Sequence, residues 1–192
     1  MKPIANYNNI EASNGEFSRP APGGYIVKIT KAEDVANNPQ TGKGDYLKIE
    51  YDFPTGELKD YYKQLFEQFG FWGGNFIRSY KEKALGMFKA FTNALEESNK
   101  HVNYVWDFDE TKLVGKFIGV VLGEEEYQKN DGTIATRLYV ASTVSADKIK
   151  SGNFKVPALK KLKTSGGDSA GYGAGVPMPE PPPLTDEDYP FA

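Results

Sequence analysis

The sequence predicts a mainly β domain followed by a disordered acidic tail, on three observations. Apolar residues recur at alternate positions around 25–30, 46–53, 116–128 and 134–144. One segment, 76–97, spaces its apolar side chains three and four apart over the length of a helix. From Gly166 onward glycines and prolines bunch without periodicity, and acids stand there with no Lys or Arg.

The elements follow in order. Residues 1–22 are polar and irregular, and the cluster Arg19-Pro20-Ala21-Pro22-Gly23-Gly24 marks the start of the compact part. From Tyr25, a first strand puts Tyr25, Val27 and Ile29 on one face and Lys28 and Thr30 on the other. The breaker-rich run 37–44 is a loop. A second strand turns Leu47, Ile49, Tyr51 and Phe53 inward and Tyr46, Lys48, Glu50 and Asp52 outward. After the turn Pro54-Thr55-Gly56, the aromatic run 59–66 is read as the third strand, although its spacing also tolerates a helix. Gly70-Phe71-Trp72-Gly73-Gly74 breaks the chain, and the helix follows with Ile77, Tyr80, Ala84, Leu85, Phe88, Phe91 and Leu95 along its apolar side. Gly86 weakens it and Asn99 stops it. Trp106 is assigned to the core. A fourth strand over 116–128 carries Ile118, Val120 and Leu122 on one face. Asp131-Gly132 supplies the positive backbone angles of a tight hairpin. The fifth strand sets Ile134, Thr136, Leu138, Val140 and Val144 against Arg137, Tyr139 and Thr143.

Three strands, a helix, then two strands joined by a hairpin is the order of an OB-fold-like five-stranded Greek-key barrel with one helix between strands three and four. Closure would also remove the exposed edges of these strands. An open α+β sheet with one packed helix fits the same order. The chain then divides into an irregular segment 1–22, a β domain 23–163, and a Gly/Pro-rich linker with acidic tail 164–192.

A body of this size, in a chain of 192 residues with 39% apolar and 14% aromatic content, can build its own core. The absence of Cys excludes disulfides and thiolate metal sites and suits a reducing compartment. No apolar run has signal-peptide or membrane-spanning length, so a cytoplasmic protein without membrane contact is expected. The net charge of −3 hides an asymmetry. Setting aside the five acids after Gly166 leaves 21 acids against 23 bases, and Lys148–Lys163 alone holds six lysines. A mildly cationic body on an anionic arm points weakly to a polyanionic ligand.

Binding single-stranded nucleic acid takes cations along the phosphates and flat rings for the bases. On an OB-like barrel the face of strands two and three, with the loops between strands one and two and four and five, carries them. The candidates are Lys28 on the first strand, Lys43 in the first loop, and Tyr46 and Lys48 on the second strand. Lys59, Tyr61 and Lys63 come from the third, Lys129 from the hairpin loop, and Arg137 and Tyr139 from the fifth. Trp72, among glycines, is either a stacking ring or a core anchor. Glu50 and Asp52 would repel phosphate on that face.

Catalysis finds little support. His101 is the single histidine and has no Cys partner or nucleophile elbow around it. Asp107, Asp109 and Glu110 could hold magnesium in a nuclease, but Glu124-Glu125-Glu126 alternate faces and do not converge. The glycines lack phosphate-loop and dinucleotide spacing. No enzyme and no cofactor are expected.

The last residues, Asp186, Glu187, Asp188, Tyr189, Pro190 and Phe191 before Ala192, put acids and anchoring rings on a flexible arm. This tip resembles the acidic, Pro-Phe-ending tail of bacterial single-stranded DNA-binding proteins, departing from it in Ala192. The strings Leu113–Tyr127, Asn130-Asp131-Gly132, Thr136-Arg137-Leu138 and Gly152–Pro157 resemble the phage family DUF669 over roughly 20–162. Members are encoded by phages and prophages of low-GC Gram-positive bacteria near replication and recombination genes, and are taken to be single-stranded DNA-binding proteins. The resemblance implies DNA binding without sequence preference, DNA replication or recombination, and a host cytoplasm. The tail would recruit replication or recombination proteins, and a homo-oligomer stays open. The other reading is an adaptor of that machinery that never touches DNA.

Overall fold

The computed structural model describes residues 19–36 and 44–162. Five antiparallel strands form one open sheet in the order β3-β2-β1-β4-β5. The strands are β1 (Gly23–Val35), β2 (Tyr46–Asp52), β3 (Asn75–Ser79), β4 (Phe117–Gln128) and β5 (Ile134–Val144), with helices α1 (Tyr61–Phe69), α2 (Leu85–Ser98) and α3 (Ala146–Lys150).

β1 is shared between two partners. Its first half pairs with β4, Tyr25 opposite Val120 and Val27 opposite Ile118, and its second half pairs with β2, Ala32 opposite Ile49. The ladders meet at Lys28, which stands opposite both Phe117 and Asp52. An irregularity between Ile29 and Lys31 lets the strand bend there while Ala32 still turns inward. Most inward residues predicted for β1, β2 and β4 are buried, namely Val27, Ile29, Leu47, Ile49, Tyr51, Phe53, Ile118, Val120 and Leu122, with Tyr25 half-buried against them. The hairpin turn is also as expected, with Gly132 at φ 86°.

The segment 59–66 is a correction. It starts α1 and adds no strand, because the Asp52 carboxylate accepts the N–H groups of Tyr62 at 3.0 Å and Lys63 at 2.9 Å. A carboxylate there satisfies donors that a helix start leaves free and favours its positive end. Gly70, at φ 68°, closes the helix by donating to the Phe66 carbonyl. The third strand is Asn75–Ser79, taken in the sequence for the start of the long helix; it turns Phe76 and Arg78 inward. An arginine at an inward position breaks the apolar alternation that marks a strand.

The helix between β3 and β4 is shorter than its periodicity suggested. It begins at Leu85 after a single 3-10 turn, Glu82–Ala84, and buries Phe91, Thr92, Ala94 and Leu95. It packs against β3, β4 and β5. Asn99 ends it and fastens it to the sheet: its side-chain amide donates to the Leu95 and Phe117 carbonyls and its oxygen accepts the Phe117 N–H. Trp106 packs half-buried on this core.

The sheet is open where a closed barrel was expected. No ladder joins β3 to β5. The two edge strands approach one another, but the bond across them runs from Arg78 Nη2 to Thr143 Oγ1 at 3.2 Å. β3 is only five residues long, and the Arg78 guanidinium is buried at this junction.

The chain after β5 covers the outer side of β4 and the adjoining part of β1. Gly24 and Gly119 permit this: a Cβ on Gly24 would fall 2.4 Å from the Phe154 ring, and one on Gly119 would fall 2.6 Å from Ile149. Ile118 to Gly123 are therefore buried on both faces. Gly119→Ala is expected to lower stability in urea unfolding by about 1–3 kcal/mol through overpacking. Gly86→Ala, with nothing within 4 Å of the new Cβ, should raise it by about 0.5–1 kcal/mol through helix propensity.

Candidate nucleic-acid interface

The outer face of β1, β2 and β3 is built by register. Lys31 stands opposite Glu50, Glu33 opposite Lys48, Val35 opposite Tyr46, and Ile77 lies beyond Lys48 on β3. Lys48 Nζ meets Glu50 at 2.9 Å and Lys31 Nζ meets Glu33 at 3.0 Å. Four charges of alternating sign thus neutralise one another on the face expected to be cationic. Tyr46 is half-buried there beside them. Lys28 is exposed at the crossing of the two ladders.

Asp52 was expected to point outward, and it is buried at 5% exposure. It accepts the N–H of Phe53 at 2.8 Å besides the two from α1. Burial raises its pKa above the ordinary carboxylate value, and these hydrogen bonds pull it back. Its charge is spent on the helix and not presented to solvent.

Tyr61 is a second correction. At 9% exposure its ring lies in the core, 6.3 Å edge-on from Phe53 and 5.0 Å from Tyr62. It offers no stacking surface because the first turn of α1 drives two consecutive tyrosines under the sheet's end. The rings that α1 does present are Phe66 and Phe69, 53% and 52% exposed. Trp72 stands beside Phe66 with centroids 6.3 Å apart at 61°. It is held by its Nε1–H donating to the Gly74 carbonyl at 3.1 Å and by Asn75 Nδ2 donating to its own carbonyl at 3.2 Å. Lys63, Phe66 and Phe69 follow at helical spacings of three and share a face, with exposed Lys59 just before the helix. Lys63 reaches Glu67 only at 4.0 Å, between two exposed side chains, a pair of little strength. Sequence reasoning missed Phe66 and Phe69 because strand alternation would have hidden one ring of this run. Their separation by three residues was the available signal.

The β4–β5 hairpin holds the remaining candidates. Arg137 grips Glu125 through Nε and Nη2, each at 2.9 Å, and lies over the Tyr127 ring at 5.4 Å. Lys160 lies 4.5 Å over the Tyr139 ring and meets Glu125 at 3.3 Å. Backbone bonds from Lys160 N to the Glu124 carbonyl and from Glu126 N to the Lys160 carbonyl lay the strip beyond α3 along the edge of β4 that β1 leaves free. Arg137 and Tyr139 therefore spend their charge and ring on pairing within the protein. Lys129 is exposed at the hairpin tip. Lys160 escaped the sequence reading except as one of a run of lysines. Lys43 and the tail residues Asp186, Glu187, Asp188, Tyr189, Pro190 and Phe191 lie outside the described residues.

On the α2 side, a shallow depression of about 490 Å³ is lined by Asn93, Glu96, Glu97, Lys100, Asn103, Tyr104 and Val105. Burial with nearby Asp107 and Glu96 pushes the Tyr104 hydroxyl up to about 12. Its two glutamates make it a poor place for phosphate. Among the described residues, no three His, Asp or Glu side chains gather as a metal site, and no helix is long and apolar enough to cross a membrane. No family model and no curated protein sequence matches the chain.

Asp52→Asn leaves one oxygen for three N–H groups and should lower stability by about 1–3 kcal/mol, with α1 losing hydrogen-exchange protection before the sheet. The folded chain binds the Asp52 proton more tightly than the unfolded chain does. Its contribution to stability therefore falls as pH rises from the ordinary carboxylate value through the raised one. Thermal melts across that window should show this component in the native chain and not in Asp52→Asn.

Proposed function

We propose that the chain is a single-stranded DNA-binding protein without sequence preference, of the phage type it resembles, acting in DNA replication or recombination. The observation that carries this reading is the surface of α1 and the loop after it. Two phenylalanines stand more than half exposed beside a fixed tryptophan, with Lys59 and Lys63 next to them. Exposed rings set among lysines suit the faces of unpaired bases and the phosphates between them. A strand would stack on Phe66, Phe69 and Trp72, with Lys59, Lys63 and Lys28 along its backbone and Lys129 at the far hairpin.

The arrangement of strands also supports an OB-like barrel closed incompletely. In the order β3-β2-β1-β4-β5, the two ends of the sheet come near each other at Arg78 and Thr143 without pairing. The charge-balanced outer face of β1 and β2 argues for binding driven by stacking on α1 more than by a cationic sheet. The acidic tail would then recruit replication or recombination proteins in the host cytoplasm.

Fluorescence anisotropy with a labelled oligothymidine tests the reading. Phe66→Ala and Phe69→Ala should each weaken binding by about 5- to 150-fold, the equivalent of about 1–3 kcal/mol per stacked base. The salt dependence should correspond to a slope of about −0.7 for each phosphate contacted. No oligonucleotide binding by the full chain or by one lacking residues 166–192, with capture of a replication protein retained, would favour the adaptor reading instead.

A further inference from the structure

Among the described residues, Arg78 is a buried cation without an anion. At 5% exposure it lies inward from β3, its Cζ 4.5 Å from the centroid of the Phe76 ring and 5.8 Å from that of Phe91. A guanidinium carries five N–H donors. Here Nη1 donates to the Ile77 carbonyl at 3.0 Å and Nη2 to Thr143 Oγ1 at 3.2 Å, while Nε is buried with no acceptor. No carboxylate among the described residues pairs with it, and burial alone lowers its pKa, to about 10. Arginines at such depth are ordinarily matched by an anion, because removing the charge from water costs several kcal/mol. Two aromatic faces and two neutral oxygens compensate only in part.

The position of this group matters as much as its burial. It lies where the edges of β3 and β5 face each other with no backbone ladder between them. Parting those edges to admit a small group breaks the single Arg78–Thr143 hydrogen bond found across them, whereas a laddered junction would lose several backbone bonds. Arg78 offers Nε–H and an adjoining Nη N–H as a fork for two oxygens of one oxyanion, and the Thr143 hydroxyl can supply a third donor.

We propose that the junction of β3 and β5 at Arg78 and Thr143 is a binding site for a phosphate group. Free phosphate and a phosphodiester of a bound strand present the same chemistry, and the experiment separates them. The proposal does not require the nucleic-acid reading to hold.

The full-length chain is melted in sodium phosphate and in sodium chloride at matched ionic strength, as native protein, Arg78→Met and Arg78→Lys. Phosphate should raise the native melting temperature saturably, by roughly 3–6 °C at ten times its dissociation constant, where chloride does not. Arg78→Met keeps an apolar stem of similar reach without the charge. It should melt no lower than the native chain in chloride and lose the phosphate increment. Arg78→Lys keeps charge without the fork and should retain a reduced increment. The Nε–Hε resonance of Arg78 in the native chain should move with phosphate, a readout that needs no variant. If a phosphodiester is the natural occupant, Arg78→Met will also weaken oligothymidine binding and flatten its salt dependence by about one phosphate. An unchanged oligonucleotide affinity beside a lost phosphate increment would assign the site to free phosphate. Equal melting in phosphate and chloride, a phosphate increment that survives Arg78→Met, or an unmoved Arg78 resonance would overturn the proposal.

Discussion

The hydrogen bonding of β1 to two different strands is the constraint on which the rest of the structure depends. β4 takes its first half and β2 its second, with the change at Lys28. A strand paired in this way must bend, and the irregularity after Ile29 supplies the bend while keeping Val27, Ile29 and Ala32 on the core side. The bend brings β3 and β5, the two ends of the sheet, toward each other, and α2 packs against both. Shifting the register by one residue on either ladder would turn the whole apolar set outward.

From that frame the position of α1 follows through one carboxylate. Asp52 ends β2 and accepts the first N–H groups of α1, so the helix begins where the strand stops and cannot drift along the sheet's end. Tyr61 and Tyr62 are then forced against Phe53, while Phe66 and Phe69, one and two turns further along the helix from Tyr62, pass beyond the sheet's end and stand more than half exposed. A buried acid, expected from the alternation of β2 to face outward, thereby positions the helix that carries the exposed rings.

The two lysine-bearing surfaces differ in what their charges are free to do. On β1, β2 and the β4–β5 hairpin, Lys31, Lys48, Arg137 and Lys160 are engaged by Glu33, Glu50 and Glu125, and two of them also cover tyrosine rings. These pairs hold strands and the strip after α3 in place. Around α1, Lys63 has, among the described residues, only a distant partner, and it stands beside rings that are more than half exposed. Counting lysines and tyrosines by strand could not separate these situations, because pairing across strands depends on register.

Much of the β core was legible in the sequence. Period-two alternation determined β1, β2 and β4 with most of their inward residues, since a strand with one face in the core must place apolar groups at every second position. It located β5 as well, but there only Leu138 and Val140 pack on the core, Ile134 and Thr136 are exposed, and a register shift brings Thr143 to Arg78. Asp131-Gly132 determined the hairpin, since its turn requires backbone angles that glycine adopts without strain. Two elements were decided only by the tertiary structure. Residues 61–69 became a helix because a carboxylate from a neighbouring strand caps it, and 75–79 became a strand because Leu47 and Ile49 were there to pair with it, despite an arginine at an inward position. The open junction between β3 and β5 belongs with them: whether two edges close depends on strand length, the helix beneath and the side chain between, and none of these is a property of a single segment.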